Sequence, residues 1–391
     1  MSFELKALKD ICTIQIGKTP SRHENDYWRD GTHAWLSIAD MNQGRYLNNT
    51  KECITDLGVK ASNIKLIPKN TLVLSYKLSI GKVGITQKPM YTNEAIASLT
   101  ELDSQVDINY LYWALQHIDL LENADRAAMG KTLNKAKLSE VKIPLPPLAE
   151  QRRIASILDK ADELRQKRQQ AIEKLDQLLQ AEFISKFHQK NYPEFNVSDL
   201  LENEKSMRTG PFGSQLLHSE FVDEGIHVLG IDNAVQNSFN WAKPRFITEE
   251  KYKDLKRYTV KPKDVIITIM GTCGKCAVVP ENMPTAINTK HLCCITLDQN
   301  KCNPEFLHSY FLIHPTARNY LESRAKGAIM SGLNMGIIKE LPVELPPIEK
   351  QNEFSTLKQK VILQKELMVK ELSKINNLFA SLQNQAFSGN L

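Results

Sequence analysis

A chain of 391 residues is long enough for two or three domains with cores of their own. Its 42% hydrophobic and 24% charged residues exclude a disordered or fibrous protein, and no apolar run approaches membrane-spanning length. A net charge of +5 admits a nucleic-acid partner without requiring one. Seven cysteines without framework spacing, behind a start (MSFELKALKD) with no signal-peptide profile, point to a reducing cytoplasm.

Residues 1–145 read as a first globular domain. A short strand is expected over Ile11–Ile16, where apolar and polar residues alternate up to Gly17 and Pro20. Further short apolar stretches fall at His33–Ile38, Ile64–Ile67, Thr71–Tyr76, Val83–Thr86 and Ala95–Leu99, and helical pattern takes over from Asn109 to Glu122. The fold class is α+β, with a mostly antiparallel or mixed sheet. Pro144, Pro146 and Pro147 lack amide donors and hold their predecessors extended, so a regular element must stop there. A long helix is then expected over 146–188, with no Gly or Pro after Pro147 until Pro193. A second globular domain over 189–345 and a second long helix over 346–391 complete the order globule, helix, globule, helix.

The second half repeats the first. Pro342, Pro346, Pro347 and Gln351 echo Pro144, Pro146, Pro147 and Gln151. Heptad spacing on the first helix gives a seam of Ile154, Ile157, Ala161, Leu164, Leu175 and Leu178, with Arg168 as its charged member. The second seam is Phe354, Leu357, Val361, Met368, Ile375, Leu378 and Leu382, offset from the first by 200 residues. The globules share only a strand-and-turn skeleton: Val260–Lys275 answers Ile67–Lys82, and Gly332-Leu-Asn334 answers Thr132-Leu-Asn134. A common scaffold with two different surfaces is what two different ligands need.

Catalytic signatures are lacking. Cys273-x-x-Cys276 with His291, Cys293 and Cys294 has a zinc-like look, but the first repeat has Ile80 and Val83 near the equivalent places. Cys293 and Cys294, in one strand, should also face opposite sides. Gly130-Lys131-Thr132 resembles the end of a phosphate-binding loop, yet Asp125 stands where its leading glycine belongs. No metal site and no catalytic residue are therefore assigned. Six loops at matching places mix cations, amides and hydroxyls with glycine, the side chains that neutralise phosphates and read base edges. In the first globule they supply Lys18, Thr19, Ser21 and Arg22, then Tyr76, Lys77 and Lys82, then Lys131, Asn134 and Lys135. The second supplies Arg208, Thr209, Ser214 and Gln215, then Thr272 and Lys275, then Lys326, Ser331 and Asn334.

The stretch Ile143-Pro-Leu-Pro-Pro-Leu-Ala-Glu-Gln-Arg-Arg-Ile154 leading into a long helix resembles the central conserved region of specificity subunits of type I restriction–modification systems. Gly17-Lys-Thr-Pro20 with Tyr27-Trp28 and Trp35, Ile80-Gly-Lys-Val-Gly84, and the second proline stop and helix extend the likeness over the whole chain. The resemblance implies two target recognition domains in tandem, each reading one half of a split double-stranded DNA site. The two long helices would pair as an antiparallel coiled coil. A helix of about 40 residues spans roughly 60 Å, enough to seat readers about one DNA turn, ~34–36 Å, apart. The resemblance further implies two methyltransferase subunits and two motor–nuclease subunits as partners, which would hold S-adenosylmethionine, ATP and Mg²⁺ and perform all catalysis, leaving this chain without a cofactor and away from membranes. Two other readings stay open on the residues alone: a specificity subunit of a related, non-type-I restriction enzyme, and a coiled-coil adaptor whose globules bind proteins.

Overall fold

The computed structural model describes residues 3–77, 79–120, 125–127, 130–241, 243–324 and 333–391, with the backbone alone at 125–127 and 130–132. Its contacts gather into two compact units, Met1–Gln169 with Lys370–Leu391, and Gln170–Val369. The division falls inside both long helices, Leu148–Phe187 and Ile348–Ser388, so each unit holds one globule and a length of each helix.

In the first unit a five-stranded sheet runs in the order Thr13–Ile16, Ile96–Thr100, Leu72–Ser75, Val83–Thr86, Tyr46–Leu47. A three-stranded sheet of Glu52–Ile54, His33–Leu36 and Tyr91–Thr92 stands beside it. Parallel pairs occur in both sheets, so they are mixed. The central strand is buried on both faces: Leu72 and Leu74 pack toward the Ile108–His117 helix, while Val73 joins Leu36, Ile67 and Met90 on the other side. Period-two alternation sorts these residues even where every one of them is apolar.

The second unit repeats, with different residues, the order of the first four strands of the five-stranded sheet and of all three strands of the other. Among the described residues it has no counterpart of Tyr46–Leu47, and it adds Thr259–Val260. Met207–Thr209, Leu292–Ile295, Val265–Thr268 and Cys276–Val278 form one sheet, and Phe246–Ile247, Ile226–Leu229, Ala286–Asn288 and Thr259–Val260 the other. Cys293 and Cys294 do face opposite sides, Cys293 packing with Cys276 and Cys294 with Ala277. One glycine in each unit sits where the two sheets approach. A Cβ on Gly17 would overlap the carbonyl oxygens of Thr92 and Asn93, and one on Gly210 would overlap that of Asn288. Only glycine fits at either place.

The proline stops are themselves short strands. Lys142–Pro144 pairs antiparallel with Leu5–Ala7, and Pro342–Glu344 with Glu194–Asn196. Behind each, a fully buried glutamine locks the long helix to its globule. Gln151 Oε1 accepts from the Asp107 amide at 2.9 Å, and its Nε2 donates to the carbonyls of Gln105 and Pro146, each at 2.8 Å. Gln351 repeats this with the Asn303 amide at 2.8 Å and the carbonyls of Lys301 and Pro346 at 3.0 and 2.7 Å.

Within each unit the two helix lengths pair antiparallel. In the first, the Arg165 guanidinium covers the Phe379 ring at 4.4 Å and Arg168 meets Glu371 at 3.1 Å. In the second, Asp176 meets Lys365 at 2.6 Å and Phe183 packs on Phe354 with ring centroids 5.0 Å apart. The heptad seam needs correction in its second row. Ile154, Ala161 and Leu175 lie inward, as do Phe354, Val361, Met368, Ile375 and Leu382. Leu164, Leu178 and Leu378 are instead 51%, 53% and 60% exposed, and Arg165, Leu179 and Phe379 take the inner places. Ile157 and Leu357 are half-buried beside fully or nearly buried Leu158 and Lys358. The cause is that each helix packs on a globule as well as on its partner. Its buried stripe is wider than a two-stranded seam and centred between the two neighbours.

Candidate nucleic-acid interface

In the first unit the loops leaving the strands converge on one rim. Lys18 N donates to Thr92 O at 2.9 Å, Tyr76 N to Ala95 O at 3.0 Å, Asn93 N to Leu36 O at 3.0 Å and Leu133 N to Tyr76 O at 3.3 Å. The segments carrying Lys18–Arg22, Tyr76–Lys82 and Asn134–Lys135 are thereby brought together. Lys18 and Ser21 are exposed, their carbonyls receiving the indole N–H groups of Trp35 and Trp28, each at 3.0 Å. Arg22 lies 3.7 Å from the Trp28 ring centroid and grips Glu52 at 2.6 and 3.0 Å, which holds that carboxyl below its usual range. Thr19 donates to the Glu94 carboxylate. Lys77 lies 5.3 Å from the Tyr76 ring centroid, and Lys82 Nζ donates to Asn42 Oδ1 at 2.6 Å. Lys131 belongs to the Gly130–Thr132 strand, and its side chain lies outside what is described.

The second unit builds the matching rim through Ile269 N to His291 O and Thr289 N to Leu229 O, both 2.9 Å. Ser214 and Gln215 project from the Gly213–Gln215 turn. Gln215 Oε1 accepts from the Tyr258 hydroxyl at 2.8 Å, leaving its NH₂ pointing elsewhere. Thr272 is exposed between Gly271 and Gly274, both at positive φ (73° and 76°), and Thr209 is half-buried in its strand. Asn334 caps Met335–Lys339 by accepting from Ile337 N at 3.1 Å, as Asn134 caps Lys135–Ser139 by accepting from Lys137 N at 2.9 Å. Their side-chain oxygens serve the helices. Lys326 and Ser331 lie outside the described residues.

Two expected contact residues belong to the interior. Arg208 donates to Asp264 at 2.7 Å and to Thr296 at 3.1 Å, and Asp264 is fully buried. A buried carboxylate needs such a partner, so this arginine serves the core and not the rim. Tyr76 is 3% exposed and spends its hydroxyl on Glu94 O at 2.9 Å. The loops' free cations are others. Among the described residues Lys18, Lys135, Lys275 and Lys290 form no ion pair, so their charge is available to an anion. Among the same residues no group of three or more His, Cys, Asp or Glu side chains could hold a metal ion, and no helix is long and apolar enough to cross a membrane.

The family profile described as the type I restriction modification DNA specificity domain matches residues 2–174 and again 191–377, once per repeat. The chain belongs to this family. Among the specificity-domain relatives, the type I restriction enzyme MjaIX specificity subunit of Methanocaldococcus jannaschii is 28% identical over 96% of this chain and 91% of its own length. The EcoR124I/EcoR124II specificity subunit of Escherichia coli is 31% identical over 41% of each chain. In fold, the S subunit of the type I system from M. genitalium superposes with a TM-score of 0.56 at 16% identity, covering 98% of this chain and 96% of the other. A chain from a structure of type I restriction–modification complex assembly and conformational transition does so with 0.62 at 14%, covering 100% and 98%. Both likenesses concern the tandem architecture.

Sequence reasoning passed over one further part of the specificity domain's rim. The loop after the Ile226–Leu229 strand, and its counterpart after His33–Leu36, carry Gln236, Asn237, Ser238 and Asn240, and Asn42 and Gln43. A run of amide residues just after a strand was the available signal. It was hidden because neither loop carries the Gly-Lys pattern that marked the others.

Proposed function

We propose that this chain is the non-catalytic specificity subunit of a type I restriction–modification enzyme and works in the cytoplasm. Each globule reads one half of a bipartite double-stranded DNA site through the loops of its rim, and the lengths of the long helices set the number of unspecified base pairs. What carries the reading is one family match per repeat, on two sheets that share four strands and three strands in the same order between the units and whose rim loops differ. Free lysines supply phosphate contacts, and amides and hydroxyls supply base contacts.

Methyl transfer, translocation and cleavage belong to partners in this proposal: two methyltransferase subunits and two motor–nuclease subunits, with S-adenosylmethionine, ATP and Mg²⁺ bound there. A polar cleft beside the first turns of each long helix supports two copies of one partner. In the first unit it measures about 290 Å³ and includes Asp107, Arg152, Ser156 and Asp159. In the second it measures about 510 Å³ and includes Asn303, Asn352, Thr356 and Gln359. The helix positions correspond at an offset of 200 residues.

The test is methylome sequencing of a host carrying the cognate methyltransferase with and without this chain. A split methylated motif should appear only with the chain, and exchanging residues 1–141 for those of another reader should change one half-site alone. Identical modification without the chain would overturn the proposal.

A further inference from the structure

The loop that follows Ile226–Leu229 is held in one shape by its own amides. Asn233 is 4% exposed; its Oδ1 accepts from Gly230 N at 2.9 Å and its Nδ2 donates to Asn240 O at 2.9 Å. Asn240 N returns a bond to Asn233 O at 3.1 Å, closing the loop at its base. At its far side Asn237 adopts φ 60°, and its Oδ1 accepts from Cys276 N at 3.3 Å.

The Asn237 carbonyl is gripped from below by a buried histidine. His308 Nε2 lies 2.9 Å from Asn237 O and 3.0 Å from Cys276 O, while Nδ1 lies 2.8 Å from Lys358 Nζ. An ammonium can only donate, so Nδ1 accepts and the ring proton resides on Nε2, facing the two carbonyls. Burial, and then the Lys358 charge, keep the imidazole neutral by pushing its pKa far down. Lys358 is balanced by Glu305 Oε2 at 2.6 Å.

With its base and centre fixed, the loop exposes Gln236 and Ser238. Among the described residues the Gln236 amide is engaged at Oε1, by Asn240 Nδ2 at 3.4 Å, and its NH₂ has no partner. The loop borders the rim already described: a Cβ on Gly271, next to Thr272, would stand 2.9 Å from Ile231 Cδ1. The first unit carries a loop at the matching place, clasped by Gln43 Nε2 to Asn49 O at 2.7 Å and Asn49 N to Gln43 Oε1 at 3.1 Å. Different residues make the same kind of clasp. A loop whose ordering cost is met before the ligand arrives suits recognition, and Gln and Ser are side chains that read base edges in the major groove.

We propose that the Ile231–Asn240 loop is a base-reading element of the second unit, with Gln236 and Ser238 as its reading side chains and His308 as the residue that positions it. This rests on the specificity-subunit reading. The experiment uses the complex with its methyltransferase and again reads the methylome. Gln236→Ala with Ser238→Ala should relax at least one specified base, by about tenfold or more in preference, in the half-site governed by residues 189–345. The other half-site should be untouched. His308→Phe should relax that same half-site without any contact to a base. His308→Gln keeps an acceptor toward Lys358 and a donor toward Asn237 and should restore it. An unchanged motif in the double variant, equal relaxation of both half-sites, or failure of His308→Gln to rescue what His308→Phe loses would overturn the inference. Should His308→Phe not fold, the two surface substitutions decide alone. Failure of the specificity-subunit reading itself would show in the unsubstituted complex, as the absence of any split motif that depends on this chain.

Discussion

At neighbouring positions of the repeat, the two units fasten globule to long helix with charges of opposite order. In the first unit the carboxylate is on the long helix: Asp159 Oδ1 takes Arg45 Nη1 at 2.5 Å and the Trp113 indole N–H at 2.7 Å, while Arg45 Nη2 donates to Asn109 at 2.7 Å. In the second the cation is on the long helix, where Lys358 reaches Glu305 and His308 at 2.6 and 2.8 Å. Leu158, the counterpart of Lys358, is fully buried and apolar. The repeat thus keeps the geometry of attachment and leaves its chemistry free. That is physically reasonable: a buried pair adds little over an apolar contact of equal shape, but breaking one by halves is costly.

Lys358→Ala strands Glu305 and the His308 acceptor, and should cost about 3–5 kcal/mol in denaturant unfolding, confined to the second unit when hydrogen exchange is resolved by peptide. Lys358→Met with Glu305→Gln removes both charges and should recover most of that loss. A double variant as unstable as the single one would mean that charge, not shape, holds the helix there, and the contrast between the units would fail.

The glutamine locks should behave alike in both units. Gln151→Ala leaves the Asp107 amide and two carbonyls without partners, and Gln351→Ala does the same around Asn303. Each should cost about 1–3 kcal/mol. A large effect in one unit and none in the other would show that the two attachments are not equivalent.

Much of this was legible in the chain. Prolines, glutamines and apolar residues recurring at a 200-residue offset announce the attachment, because helix register and amide-lacking prolines act through local geometry. The strands at Leu72–Ser75 and Val83–Thr86 fell where alternation and turns placed them, and the one expected over Ile11–Ile16 begins only at Thr13, after the Leu8–Ile11 helical turn. What stayed hidden depends on neighbours distant in sequence. Arg208 looked like a phosphate contact until Asp264, 56 residues away, claimed it. Lys358 stands next to the seam position Leu357 and carries no sequence signal, yet Glu305 and His308, 53 and 50 residues away, hold it in the interior. The amide-clasped loops carry no periodic signal at all.

Acid should separate the units next. Burial keeps His308 and His314 neutral, with pKa values below the ordinary 6.5. Lys358 and Glu305 face the first; His188, Glu344 and Tyr310 surround the second. Below pH about 6.5 the unfolded chain takes up protons that the folded second unit refuses, so stability is fully present above that pH and falls as pH drops. Each site adds a slope of up to about 1.4 kcal/mol per pH unit. Among the described residues of the first unit only His117 is lowered in this way. Hydrogen exchange between pH 7 and 5 should therefore show the second unit loosening first, and simultaneous loosening would count against the assignment.

The smallest expected effect bears on what the units share. Leu178 and Leu378 occupy heptad positions 200 residues apart, one in each unit, and a two-stranded coiled coil would bury both. They are instead 53% and 60% exposed, because Leu179 and Phe379, the next residues along, fill the inner places. Phe379 is held there by Trp113 of the globule, with ring centroids 5.5 Å apart, and by Arg165 of the other helix. A leucine displaced from the seam has already left its transfer free energy in water, so Leu178→Gln and Leu378→Gln should each shift stability by no more than about 0.5 kcal/mol. Thermal unfolding of the chain measures this directly. A loss of about 2 kcal/mol or more at either site would return the heptad row to the interior and make the helix pair, not the globule, the surface that sets how each long helix is rotated.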